Sequence, residues 1–209
     1  MTIPKLHYIS QGSSPKEHIE NIQKACSSGA ELVQLQLENI SDKKYLKFAA
    51  EARGITDHFQ TRLIIHENYK IASEIKADGV HLGTTTSMLT PARKELYTWQ
   101  MIGATACNLK DCQTLLKKEV DYISLGSFKS NKENLVLGLN GFTSILEILN
   151  TDTPIIGFGN ITNHDVKSIL ETGVSGVAVS EEITQNFDLI KVYHQLLSAS
   201  SIDEQRHSF

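Results

Sequence analysis

Polar side chains stand at the ends of a succession of short apolar runs in this chain. Val33-Gln34-Leu35-Gln36-Leu37-Glu38 alternates apolar with polar residues, so in an extended strand Gln34, Gln36 and Glu38 share one face. Three polar groups on one face of a buried strand need partners or a cavity; they form either a satisfied polar layer or a ligand-facing row. Ile65-His66-Glu67-Asn68 sets an imidazole beside a carboxylate. His66 suits general acid–base chemistry and Glu67 an oxygen-ligated cation, and in a continuing strand they point to opposite faces. His81 lies in Gly79-Val80-His81-Leu82-Gly83, placed to be a hydrogen-bonded core histidine or a catalyst. Thr105 brings a hydroxyl, and Cys107 a thiol with no neighbour that marks it as activated. Gly126-Ser127-Phe128-Lys129-Ser130-Asn131-Lys132 reads as an anion-holding loop or a solvated one. Gly159-Asn160 and Ser180 follow two further apolar runs, where backbone N–H groups suit a phosphate, whereas the Glu181 carboxylate opposes one.

The elements that would carry these groups alternate. Strands are expected at Leu6–Ile9, Leu32–Leu35, Arg62–Ile65, Gly79–Leu82, Met101–Ala104, Tyr122–Leu125, Pro154–Gly157 and Gly176–Val179. Helical patterns fall between them, at Pro15–Ser27, Asp42–Phe59, Tyr69–Ile75, Pro91–Leu96, Leu109–Lys118, Gly141–Leu149, His164–Thr172 and Phe187–Leu197. Pro15 after Ser13-Ser14 fits a first helical turn, Ser41 and Asn163 are expected N-caps, and Gly29 and Gly173 suit left-handed C-terminal caps. Eight strand–helix units are the number that closes a parallel barrel. No GxGxxG follows the first strand, which counts against a dinucleotide-binding open sheet. The expected fold is therefore α/β, a single (β/α)8 TIM barrel over residues 1–198, followed by a polar, frayed tail at 199–209. In such a barrel the chemistry collects at the C-terminal ends of the strands.

Composition narrows the function classes. The chain has 209 residues, 40% hydrophobic and 21% charged, with a net charge of −4 and no long basic or acidic block. That gives no footprint for nucleic acid or an anionic membrane surface. Three cysteines without CxxC spacing argue against a disulfide framework or a structural zinc site. No apolar stretch approaches the ~18–20 residues that span a bilayer, and Met1-Thr2-Ile3-Pro4-Lys5 lacks the apolar run of a signal peptide. A cytoplasmic protein is expected.

Lys76-Ala77-Asp78-Gly79-Val80-His81-Leu82-Gly83 closely resembles the "AdGVHLGQ" strand of the thiamine phosphate synthase and thiazole tautomerase family. The likeness extends, in the right order, through Leu63-Ile64-Ile65, Asp121-Tyr122, Gly138-Leu139 with Gly141, Pro154 to Ile161 and Gly176 to Val179, so that it spans about Leu6 to Leu197. It implies a (β/α)8 barrel that joins hydroxymethylpyrimidine diphosphate to a thiazole phosphate, releasing diphosphate with Mg²⁺, or a relative that aromatises the thiazole. By the same resemblance Gln34 and Lys132 contact diphosphate, Glu67 holds Mg²⁺, Thr105 orients the pyrimidine, and Gly159 and Ser180 offer amides to the thiazole phosphate, with Asn160 in place of a second glycine. The partner implied is a thiazole or pyrimidine phosphate, and the assembly a homodimer.

Several positions differ from the family pattern. Gln36 and Glu38 stand where VQLRxK carries Arg and Lys, Thr86 where a second metal-ligating carboxylate falls, Ser127 at the tautomerase histidine, and Glu181 at the loop-eight serine. Three readings stay open on residues alone. They are a synthase, a tautomerase with His66 or His81 as base, and a catalytically silent barrel that binds a small phosphorylated ligand or a partner protein.

Overall fold

The structure is a computed structural model and describes residues 2–84, 86–129 and 136–206, with the side chains of Thr86 and of residues 200–206 left aside. Eight parallel strands close into a barrel in sequence order. They are β1 (Leu6–Ile9), β2 (Leu32–Leu35), β3 (Arg62–His66), β4 (Gly79–Leu82), β5 (Met101–Ala106), β6 (Tyr122–Leu125), β7 (Ile155–Phe158) and β8 (Gly176–Val179). The helices around them are α1 (Pro15–Ser27), α2 (Asp42–Phe59), α3 (Tyr69–Glu74), α4 (Leu89–Glu95), α5 (Leu109–Leu116), α6 (Gly138–Leu149), α7 (Val166–Leu170), α8 (Glu181–Gln185) and α9 (Leu189–Arg206).

The expected (β/α)8 barrel is therefore present, with local corrections. Ser14 caps α1 through the Glu17 amide, with Pro15 in the first turn. Gly29 and Gly173 take the left-handed conformation beyond α1 and α7. Ser41 makes no side-chain cap bond. The cap before α7 is Thr162 rather than Asn163, because Thr162 and Asp165 form a reciprocal capping box around a short 3₁₀ turn at Asn163–Asp165. α9 continues to Arg206, past the point where the polar tail was expected to fray.

Each β-strand has two buried faces. Outward residues such as Leu63, Ile65, Val80 and Ile123 join one large core with the helices. Inward residues form two smaller groups: Leu32, Ile64 and Met101 around Ile3, and Tyr122, Ile156 and Ala178 with Ile9 and Phe158. Both-face burial is what parallel strands demand, and it explains their near-continuous apolar runs.

A recurring device closes the N-terminal rim. The Asp78 amide donates to the Leu63 carbonyl at 2.9 Å, while the Leu63 amide donates to Asp78 Oδ2 at 2.8 Å. Asp121 repeats this with Ile102 (2.8 and 2.7 Å), and Ser175 with Ile155 (2.7 and 3.2 Å). A short polar residue just before β4, β6 and β8 thus satisfies an amide at the start of the preceding strand. Arg53 of α2 and Arg93 of α4 bind Asp78 (2.6 Å) and Asp121 (3.0 Å), tying helices to the same rim. Trp99 lies on this rim too, just before β5, 44% exposed and stacked on Tyr97 at 5.8 Å.

Candidate active site

The strands end in a cavity of about 770 Å³ at the C-terminal mouth. Its floor is polar because each strand turns one alternate residue inward. Gln34, His66, Thr105 and Ser124 come from β2, β3, β5 and β6, and Gly159, Asn160 and Ser180 from the segments after β7 and β8. Gln36 lines it as well and also borders a smaller recess of about 340 Å³ with Glu38, Ser10 and His18.

β3 delivers His66 and then stops. Glu67 adopts φ 62°, a left-handed conformation uncommon outside glycine, so the strand alternation expected to separate His66 and Glu67 ends there. The Tyr45 hydroxyl of α2 lies 2.9 and 3.0 Å from the carbonyls of Leu35 and His66 and anchors the ends of β2 and β3 together. Gln34 Nε2 donates to His66 Nδ1 at 3.2 Å, which leaves the ring proton of neutral His66 on Nε2. Burial lowers the His66 pKa, and the nearby carboxylates of Glu67 and Glu38 pull it back only in part, so the ring is neutral near pH 7.

His81 lies beneath this layer rather than in it. It is stacked between His66 and Tyr122, with centroid distances of 6.2 and 5.6 Å. Nδ1 meets the Tyr122 hydroxyl at 3.1 Å and Nε2 the Thr105 hydroxyl at 2.9 Å. Burial drives its pKa down to about 3, reinforced by His66 and His7. Both nitrogens are engaged and the charged form is strongly disfavoured, so a proton-abstracting role is closed to His81. His7, also inside the barrel, bonds the Pro4 carbonyl and is held at about 4 by burial.

Charge at the mouth is sparse and mostly negative. Among the described lining residues there are Glu181 and Glu182 but no lysine or arginine. Glu182 accepts from the Asn163 amide at 3.0 Å and from the Tyr193 hydroxyl, and so serves the loop after β7. β2 ends at Leu35, so the strand alternation expected through Glu38 stops short of it, and in the segment beyond, Gln36 Nε2 donates to Glu38 Oε1 at 3.0 Å. Lys129 is 2.6 Å from Asp165 and links the segments after β6 and β7. Lys132 lies outside the described residues.

Gly159 carries φ +110°, and a Cβ there would sit 2.3 Å from Ser127 Oγ and 2.6 Å from the Phe128 amide. Its bareness admits the segment after β6, whose Phe128 and Lys129 amides donate to the carbonyls of Phe158 and Gly159 at 2.8 and 3.1 Å. This is a packing reason for the glycine, where a phosphate approach alone was expected. Cys107 is not activated: burial and the Asp111 carboxylate both raise its pKa.

Glu67 Oε1 accepts the Gly83 amide at 2.7 Å and bridges the ends of β3 and β4. Among the described residues no group of three or more His, Cys, Asp or Glu could cage a metal. Glu67 is not among the residues lining the cavity, and its carboxylate fits Mg²⁺ only as an ion shared with ligand phosphates, since Mg²⁺ is commonly held by one or two carboxylates plus substrate oxygens. Ser124, Gln11, Thr162 and Gln185 also line the cavity and were missed in the sequence. For Ser124 a signal existed, because it alternates with inward Tyr122 in β6.

A closed parallel barrel with a polar cavity at the C-terminal ends of its strands is the architecture of small-molecule barrel enzymes. The chain belongs to the thiamine monophosphate synthase family, whose sequence model matches residues 6–183. A thiamine-phosphate synthase from Flavobacterium johnsoniae is 35% identical over 95% of this chain and 98% of its own length. One from Clostridium novyi is 34% identical over 88% and 93%. The solved thiamine phosphate pyrophosphorylase from Pyrococcus furiosus superposes with a TM-score of 0.79 at 25% identity, covering 92% of this chain and 96% of its own.

Proposed function

We propose that this chain is a transferase that joins hydroxymethylpyrimidine diphosphate to a thiazole phosphate. The thiazole nitrogen lone pair forms a bond to the pyrimidine methylene carbon. The carbon–oxygen bond to diphosphate breaks, and its electron pair leaves with the diphosphate. The product is thiamine phosphate. The observation that carries this reading, beside family membership, is the state of the two histidines. Both are neutral, and each has its Nδ1 in a hydrogen bond. Alkylation of the thiazole nitrogen moves no proton, so it needs orientation and no strong base. A tautomerase reaction needs such a base, and the floor of this cavity lacks one among the described residues.

In this reading Thr105 and His66 hold the pyrimidine ring. Gln34 and Lys132 contact the diphosphate. Gly159, Asn160 and Ser180 receive the thiazole phosphate through the segments after β7 and β8. Glu67 would hold Mg²⁺ together with diphosphate oxygens, and the ion would supply charge neutralisation for the leaving group.

The test is direct. Purified protein incubated with both substrates and Mg²⁺ should form thiamine phosphate and diphosphate in equal amounts. Calorimetry should detect no Mg²⁺ binding alone, and binding with inorganic diphosphate that Glu67→Gln weakens. Folded protein that makes no product and binds neither substrate would instead mark a catalytically silent barrel.

A further inference from the structure

Three residues from adjacent strands lie level across the barrel interior. His81 pairs with Gly103 in the β4–β5 register, and Gly103 with Tyr122 in the β5–β6 register. A Cβ on Gly103 would lie 2.0 Å from Tyr122 Cζ. The missing side chain lets the tyrosine ring cross β5 and reach His81. One layer higher, Thr105 lines the cavity and meets the other nitrogen of the same imidazole.

The hydrogen-bond arithmetic of this row has one consistent solution. A neutral imidazole carries one N–H and one acceptor nitrogen. Among the described residues, His81 is the only hydrogen-bond partner of the Tyr122 hydroxyl, which is fully buried. If His81 carried its proton on Nδ1, the phenolic hydrogen would have no acceptor in a dry interior, which buried donors rarely tolerate. The phenol must therefore donate to Nδ1. The imidazole proton is then on Nε2 and is donated to Thr105 Oγ1. The Thr105 hydroxyl hydrogen, no longer needed by His81, is free to enter the cavity.

We infer that Tyr122 and His81 are positioning residues that hold Thr105 as a hydrogen-bond donor toward the ligand, which must present an acceptor such as an unprotonated pyrimidine ring nitrogen. The ligand class rests on the proposed transferase reading, but the orientation of the row does not. Thr105 would otherwise be free to donate or accept, and the row removes that choice. Gly103 is part of the device because any side chain there separates its two ends.

The experiment uses the full chain labelled with ¹⁵N-histidine. Long-range proton–nitrogen spectra should show His81 as the Nε2–H tautomer in the wild type. In Tyr122→Phe, which deletes only the hydroxyl, Nδ1 loses its donor, so its nitrogen resonance should move toward that of an unbonded acceptor while the proton stays on Nε2. The KM for the pyrimidine diphosphate should rise about 3- to 10-fold with kcat less affected, the scale of one neutral hydrogen bond. Thr105→Val should raise it similarly, and the double variant should be no worse than Thr105→Val alone. Thr105→Ser should restore wild-type behaviour. A wild-type Nδ1–H tautomer, an Nδ1 resonance unchanged in Tyr122→Phe, or additive effects of the two substitutions would each overturn the inference. If wild type binds no pyrimidine diphosphate, the transferase reading fails while the spectra still decide the orientation of the row.

Discussion

At the residue scale, the mouth of the barrel carries a self-contained amide–carboxylate pair. Gln36 and Glu38, just beyond β2, bond each other at 3.0 Å and bring no positive charge to meet a diphosphate. The double substitution Gln36→Arg with Glu38→Lys should therefore tighten diphosphate binding at least about tenfold, since charge-assisted contacts are each worth about 1.5–3 kcal/mol; calorimetry measures it directly. The interior histidines give a second expectation. His7 and His81 have folded pKa values of about 4 and about 3, below the ordinary 6.5. Between those values the unfolded chain binds protons that the native state does not, so stability is full above about pH 6.5 and falls as the pH drops toward 4. The slope approaches about 1.4 kcal/mol per pH unit for each histidine. Urea unfolding at pH 7, 6, 5 and 4 checks this, and a flat profile would contradict the buried neutral rings.

At the scale of elements, the strands were legible because two-face burial writes itself as short runs of Val, Ile and Leu. Seven of the eight began where expected, and β3, β5 and β7 each ran one or two residues farther toward the mouth. The misreadings are local. Glu67 leaves strand geometry through a left-handed turn, which no side-chain pattern announces in a non-glycine residue. Thr162 outcompeted Asn163 as a cap because Asp165 answers it from three residues on. Gly159 reads as a phosphate glycine, yet its partner is Ser127, a contact made across two strands that periodicity cannot show. The polar turn residues before β4, β6 and β8 likewise read as ordinary loop residues, although each closes a neighbouring strand. Asp78→Ala should consequently cost about 1–3 kcal/mol, the scale of leaving a buried amide unpaired, by removing the acceptor of the Leu63 amide and a partner of Arg53. Because this rim faces away from the cavity, kcat should be unchanged in protein that remains folded.

At the scale of the whole molecule, a net charge of −4 accompanies a cavity whose described lining has two glutamates and no cation. Anionic substrates therefore approach against a weak repulsive field. Raising ionic strength from about 0.01 to 0.15 M shortens the screening length from about 30 to 8 Å, so the KM for the pyrimidine diphosphate should fall or hold steady, whereas in a positively steered site it would rise. The double substitution just after β2 should reverse that trend. The fold belongs to the inherited scaffold, and the chemistry depends on a few groups at one end of it. The position of Trp99 carries a practical consequence of that polarity. The sole indole of the chain sits at the end of the barrel opposite the ligand cavity, stacked on Tyr97. Its emission is a good optical gauge of denaturation, but it should stay dark to substrate, so that a quenching titration would report silence even for a fully loaded protein.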